Sequence, residues 1–233
     1  MRVSLNEIQV MCRKAFEGMG FAPGDYEDAA ELVGWLHLQG LDGIGTLAAA
    51  LNYLQGEANQ PFTLNQEDNT LLVIDSQGQS VLRCAATAVE LVLDKALRRG
   101  QALLQIHHCH NRLLLLGYLS KAAERGVHVQ ARWEDARQRH LADFTAGEQR
   151  PALRSDAQPE AVQAFEQGIT VLFTRPGQTL PTPARVTASN TANQGFTVDA
   201  GTWQRLKQLS EQILVESSEA SRRHGAGAGS DAD

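Results

Sequence analysis

Apolar residues recur three and four apart through Leu5, Ile8, Cys12, Ala15 and Met19, and Ser4 followed by Glu7 has the form of a capping box. The chain therefore opens on an amphipathic helix over residues 4–18, stopped at Gly18 and Gly20. Asp25 opens a second helix with Ala29, Leu32, Trp35 and Leu36 on its apolar face and Gly40 at its close. A third is predicted from Thr46 to Leu54, ending at Gly56. The period then changes: Leu71-Leu72-Val73-Ile74, followed by Asp75 and a Ser76-Gln77-Gly78 turn, reads as a buried strand.

Beyond it the pattern alternates. Val81 to Arg99 is a long helix stopped by Gly100, Ala102 to Ile106 a strand, Arg112 to Arg125 a helix stopped by Gly126, and Val127 to Arg132 a strand. This order predicts an α/β fold, with N-terminal helices followed by a mixed sheet with crossover helices. From Trp133 to Pro159 charged and small residues with Pro151 predict a loop or irregular linker. A strand at Ile169–Phe173, a turn-rich Arg175–Pro183 and an amphipathic helix from Asp199 through Trp203, Leu206, Leu209 and Ile213 follow. The tail is low-complexity, and its Gly225–Asp233 end is expected to be mobile because it has nothing to bury. The chain thus divides into a helical segment (1–60), an α/β core (61–133), a linker or insertion remnant (134–167), a returning strand and helix (168–216) and the tail (217–233).

A chain of 233 residues makes one or two domains and needs no staple to hold its core. Three widely spaced cysteines, Cys12, Cys84 and Cys109, fit reduced thiols. The longest aliphatic run, Leu113–Leu116, is far too short to span a bilayer, and the N-terminus shows no apolar signal region, so a cytoplasmic protein is expected. Charge changes the picture more. Residues 1–94 carry a net -9, residues 95–139 a net +6 with His107, His108, His110 and His128, and residues 140–233 a net -3. The basic block is either an anion site for a small carboxylate or phosphate, or a surface complementing an acidic one within the fold or across a subunit boundary. Nucleic acid is not expected as a partner, since the chain is acidic overall and the block lacks aromatic platforms.

Gly43, Gly45 and Ala48 spell G-x-G-x-x-A, but the motif binds pyrophosphate only where a strand delivers it to a helix, and here a helix precedes it. A helix-to-helix turn is the expected reading. His108, Cys109 and His110 directly follow a strand, where α/β folds place their chemistry. Two local ligands do not make a tetrahedral zinc site, so hydrogen-bonded or solvated histidines are expected and no metal is assigned.

The order of elements and several motifs resemble the non-Rossmann malate and L-lactate dehydrogenase family, which includes ureidoglycolate and sulfolactate dehydrogenases and cyclic imino acid reductases. The stretch DAAELVGWLHLQGLDGIGTLAAALNYLQGE is similar to that family's first motif region, where a helix leads to Gly-x-Asp-Ser-His-Gly, a nearby Arg and a helix ending in Tyr and Gly. Leu72 to Gly78 with the helix to Gly100 resembles its next strand and helix, QIHHCHNRLLLLGYLSKAAERGVHV its second motif, Asn-Ser-x-His-x-Gly leading to Gly-Tyr, and GFTVDAGTWQRLKQL its closing strand and Trp-containing helix. The departures matter as much. Ile44 stands where the first His would be, Ala48 where the substrate-side Arg would be, and Arg112 and Leu114 where the second His and its Gly would be. Only 34 residues separate Trp133 from Gly168, where the family has the central portion that binds most of its nicotinamide cofactor. Ile44 cannot transfer a proton, and Arg112 stays protonated at physiological pH.

The resemblance therefore implies a shortened, degenerate relative, akin to a smaller bacterial family of unknown function, that is non-redox and needs no cofactor. It is expected to bind a small carboxylate through Arg112, Asn111 and His110, or to act as an accessory subunit. The family builds its site between subunits, which implies a homodimer with Trp35 and Trp203 as core or interface anchors. The alternative is an active enzyme on 2-oxo or 2-hydroxy acids in which His110 or His108 has taken over acid-base duty. A purely structural interaction protein is the third reading.

Overall fold

The computed structural model describes residues 1–57, 59–135, 138–157, 167–177 and 195–213. Three helices come first. In α1 (Leu5–Gly18) the Ser4 hydroxyl accepts the Glu7 amide at 3.2 Å while the Glu7 carboxylate accepts the Ser4 amide at 2.7 Å, closing the capping box. Ile8, Cys12, Ala15 and Phe16 face inward. The second helix, α2 (Asp25–Leu38), carries Asp25, Glu27 and Asp28 in its first turn, favourable against the helix dipole. The third, α3 (Gly43–Leu54), starts three residues before the expected Thr46 because the Asp42 carboxylate caps it by accepting the Gly45 amide at 2.8 Å.

Strand β1 (Arg2–Val3) pairs antiparallel with β9 (Phe196–Thr197), tying the two described ends of the chain together. The main sheet has seven strands in the order β2-β3-β4-β8-β5-β6-β7. They are β2 (Thr63–Glu67), β3 (Leu71–Asp75), β4 (Gln101–His107), β5 (His128–Glu134), β6 (Gln138–Phe144), β7 (Ala152–Ala157) and β8 (Ile169–Thr174). Only β3 and β4 are adjacent and parallel, joined by the crossover helix α4 (Ala85–Arg99), whose end is set by Gly100 at φ 91°. Helix α5 (Leu116–Glu124) carries the chain from β4 across β8 to β5, and the antiparallel pairings of β8 make the sheet mixed, as expected. The last helix, α6 (Ala200–Glu211), is capped by Asp199 and packs on α1.

The two long helices expected after β3 and β4 are each split. A 3-10 turn over Val81–Arg83 precedes α4 and another over Arg112–Leu115 precedes α5. The expected irregular linker over Trp133–Pro159 is corrected: it holds β6 and β7. Their apolar positions are few but well placed, with Ala142 opposite Ala131 and the fully buried Phe144 opposite Val129. The charged Arg154 and Asp156 that made the stretch look like a loop sit on the outer strand β7, where charge protects an unpaired edge. Strand β2 carries no apolar pattern to announce it, since all five of its residues are exposed; it is held by pairing with β3 and by side-chain contacts such as Lys95 to Glu67 at 2.8 Å.

Trp35 and Trp203 are half-buried against the core, Trp35 lying 6.4 Å from the Phe144 ring. The tail expected to be mobile and most of the turn-rich Arg175–Pro183 lie outside the described residues.

Candidate functional site

The C-terminal ends of the parallel strands β3 and β4 meet in two facing loops, residues 76–81 and 107–112, which is where open α/β sheets present their chemistry. Backbone hydrogen bonds lace them together. Ser76, Gly78 and Val81 amides donate to the carbonyls of His107, His108 and His110 at 2.9, 2.7 and 3.0 Å, and the His110 amide donates to Gln79 at 3.1 Å. Within the second loop His108 and Asn111 both hold positive φ, at 48° and 59°, a conformation that side chains other than glycine seldom adopt. The loop is thus rigid in an unusual shape.

That shape sends the candidate side chains apart. His108 projects outward and its Nδ1 meets the Asp75 carboxylate at 2.8 Å. Burial alone would push the Asp75 carboxyl up, but the Gln77 amide and the His108 contact outweigh it and hold the group below its usual range. Cys109 turns inward, where burial pushes its thiol up to about 12, so it is no nucleophile. His110 stacks on Tyr53 with 4.4 Å between centroids and 18° between planes. Desolvation, then the nearby Arg112 charge, hold the His110 imidazole below the usual 6.5 and so neutral near pH 7. No three His, Cys, Asp or Glu side chains gather as metal ligands among the described residues.

Arg112 is half-buried at the start of the 3-10 turn. Its guanidinium donates to the Cys109 carbonyl at a long 3.4 Å and forms no ion pair among the described residues. The neighbouring Asn111 has its Oδ1 buried without a hydrogen-bond partner among the described residues. The structure thus brings together His110, Asn111 and Arg112 and separates them from His108.

Tyr53 leads to a cavity of about 430 Å³ between the end of α3 and the 76–81 loop. On its wall the Glu57 carboxylate, 5% exposed, accepts the Ser80 amide at 2.6 Å through Oε1. Its Oε2 lies 3.5 Å from the Arg83 Nε, an ionic contact outside hydrogen-bond geometry, and neither atom has another partner among the described residues. Burial pushes the Glu57 carboxyl up, opposed by the Ser80 amide and Arg83. The Arg83 guanidinium lies 3.6 Å over the Phe21 ring. The sequence reading missed Tyr53, Glu57, Gln79 and Arg83, since a tyrosine and a carboxylate at the end of α3 and a glutamine and an arginine more than twenty residues later carry no motif.

A second cavity of about 680 Å³ lies on the sheet where β4, β8, β5, β6 and β7 run side by side. Its arginines are already engaged: Arg132 donates to Gln130 at 2.8 Å, Arg139 pairs with Glu134 at 2.8 Å and Arg154 with Asp156 at 3.4 Å.

The fold was compared with solved structures. A malate dehydrogenase from Entamoeba histolytica matches at a TM-score of 0.67 and 10% identity over 93% of this chain and 99% of that one. A sulfolactate dehydrogenase from Methanocaldococcus jannaschii matches at 0.61 and 12% over 91% and 97%, and a dehydrogenase from Sinorhizobium meliloti at 0.64 and 12% over 90% and 99%. The fold is malate/lactate dehydrogenase-like. At such identities the likeness is one of fold alone. The sequence profile of a family described as a protein of unknown function (DUF3726) matches residues 3–89. No curated protein matches this sequence. No helix among the described residues is long and apolar enough to cross a membrane.

A dehydrogenase-like fold implies a nicotinamide cofactor, and the glycine motif can be tested for it. A Cβ on Gly43 would lie 2.2 Å from the Val33 carbonyl oxygen, so this glycine serves the packing of α3 on α2. The Ile44 amide donates to His37 Nε2 at 3.0 Å and the Gly45 amide to Asp42, which leaves neither for a phosphate. These residues do not fit a pyrophosphate. Ile44 itself is 1% exposed, part of the core. Gly117 likewise serves packing, since a Cβ there would lie 2.4 Å from Leu32 Cδ2.

Proposed function

We propose that the protein binds a small carboxylate of the 2-oxo or 2-hydroxy acid class on the 107–112 loop and does not transfer hydride. One observation carries this reading: the half-buried Arg112 guanidinium has no carboxylate partner among the described residues. A partly desolvated cation without an anion is costly, and a bidentate carboxylate is its natural complement. Asn111 Oδ1, an acceptor without a donor, suits a hydroxyl beside that carboxylate, and His110 can serve either group. Ile44, where the resemblance would place an acid, is a core side chain that has no proton to give.

The His108–Asp75 pair favours a second reading. A histidine oriented by a carboxylate has the form of a general base, and it would support an active enzyme on the same class of acid. Lactate, malate and their oxo counterparts, tested for melting shifts and for NADH- and NADPH-linked turnover, separate the two. A shift without turnover is expected; turnover abolished by His108→Asn would overturn the non-redox reading. A homodimer belongs to the same proposal, and light scattering is expected to give twice 25.4 kDa. An accessory role would show instead as a stable hetero-complex.

A further inference from the structure

One contact joins the 430 Å³ cavity to the proposed carboxylate site. His110, beside Arg112, stacks on Tyr53, and Tyr53 lines the cavity. The cavity is larger than lactate or malate requires and falls within the range of small-molecule sites. Its polar groups are of a particular kind. Amide side chains of Asn52, Gln60, Gln77 and Gln79, which both donate and accept, surround the Glu57 carboxylate, and among the described residues no lysine or arginine lines the space.

We infer, resting on the carboxylate reading above, that the ligand is a polyhydroxylated carboxylate whose acid end meets Arg112 and whose hydroxylated chain crosses Tyr53 into this cavity. Glu57 is the wall's strongest pointer. Its side chain is 5% exposed, Oε1 accepts the Ser80 amide at 2.6 Å, and Oε2 meets Arg83 Nε at 3.5 Å, a long ionic contact outside hydrogen-bond geometry. A carboxylate oxygen held only by such a contact keeps acceptor capacity that a ligand hydroxyl can use. An ammonium is a poorer match, because Arg83 at 3.5 Å already offsets the Glu57 charge. A phosphate is a poorer match still, with a carboxylate in the wall and no cation lining it among the described residues.

The wall is also prepared in advance. Gln79, 6% exposed, accepts the Gln60 amide at 3.1 Å through its Oε1 and donates from Nε2 to the Gln60 carbonyl at 2.9 Å, which pins one side of the cavity to the other. Asn52 Oδ1 accepts from Arg205 at 3.0 Å, and this orients the amide nitrogen as a donor. Tyr53, 49% exposed, offers an aromatic surface against which the C–H faces of a polyol pack.

The test is titration calorimetry on the full chain with sodium lactate, sodium gluconate and sorbitol. Gluconate is expected to bind about tenfold or more tightly than lactate, a difference worth roughly 1.4 kcal/mol, with sorbitol far weaker than gluconate. Glu57→Gln should narrow the gluconate-to-lactate ratio, but it also removes the partner of a buried arginine and can unfold the chain. Tyr53→Ala alters an exposed side chain and should bring the ratio close to one. Equal affinity for lactate and gluconate, or a ratio unchanged in Tyr53→Ala, overturns this inference and leaves the carboxylate reading standing. Binding of neither acid overturns the carboxylate reading and this inference with it. Sorbitol binding as tightly as gluconate overturns the claim that the ligand is an acid.

Discussion

The His110 imidazole lies stacked on the Tyr53 ring at 4.4 Å, which joins the last turn of α3 to the loop after β4 across a sequence separation that no motif reveals. This contact shields the imidazole, and the Arg112 charge adds to the shielding by disfavouring the imidazolium. Two single changes should therefore raise its pKa toward the usual value by different routes. In Tyr53→Ala solvent reaches the ring, and in Arg112→Leu the repulsion is gone. Titration of the His110 ring protons by NMR is the check, and an unchanged titration in both variants would contradict the described geometry.

Stability should depend on pH through His37. Its Nε2 accepts the Ile44 amide at 3.0 Å, a bond that only the neutral ring can make, and burial pushes its pKa below 6.5 against the opposing pull of Asp42. The unfolded chain takes up a proton at this residue as pH falls through about 6.5, while the folded chain resists until lower pH. The contribution is complete above pH 6.5 and declines below it, toward the folded pKa. Urea midpoints measured between about pH 7 and pH 5 should fall less steeply in His37→Gln than in the parent. Parallel slopes would remove His37 from the account.

The glycine motif offers a third measurement. Gly43→Ala drives a Cβ to 2.2 Å from the Val33 carbonyl oxygen, so α2 and α3 must separate, at a cost of about 1–3 kcal/mol. Gly56→Ala meets only the Tyr53 carbonyl oxygen at 3.9 Å and should stay within about 0.5 kcal/mol of the parent. Chemical denaturation distinguishes them, and a Gly43→Ala protein as stable as the parent would show that this glycine is not there for packing.

Periodicity made the helices and the buried strands legible. Ser4 and Glu7, the apolar run Leu71–Ile74 and the stop at Gly100 each act locally, so the chain itself displays them. Strands β2, β6 and β7 were illegible because sheet pairing, not their own composition, holds them. Leu141 and Phe144 were too few to outweigh the charges around them. The site divided the same way. The 107–112 loop stood out because histidines cluster after a strand, but only the fold shows that His108 turns to Asp75 while His110 turns to Tyr53. Glu57 and Arg83 gained meaning from burial, which no spacing announces.

The central claim is that Arg112 holds the carboxylate of a ligand, and melting of the Arg112→Leu protein with and without gluconate or lactate tests it most directly. Without ligand the variant should lose about 1 kcal/mol or less, since Arg112 makes one long contact to a carbonyl and no ion pair among the described residues. With ligand the parent should melt at a higher temperature, and the variant should show no shift at any acid concentration that shifts the parent. A variant that is strongly destabilised when free yet still raised in melting temperature by the acid would contradict the account, placing Arg112 in the framework of the loop and the carboxylate elsewhere.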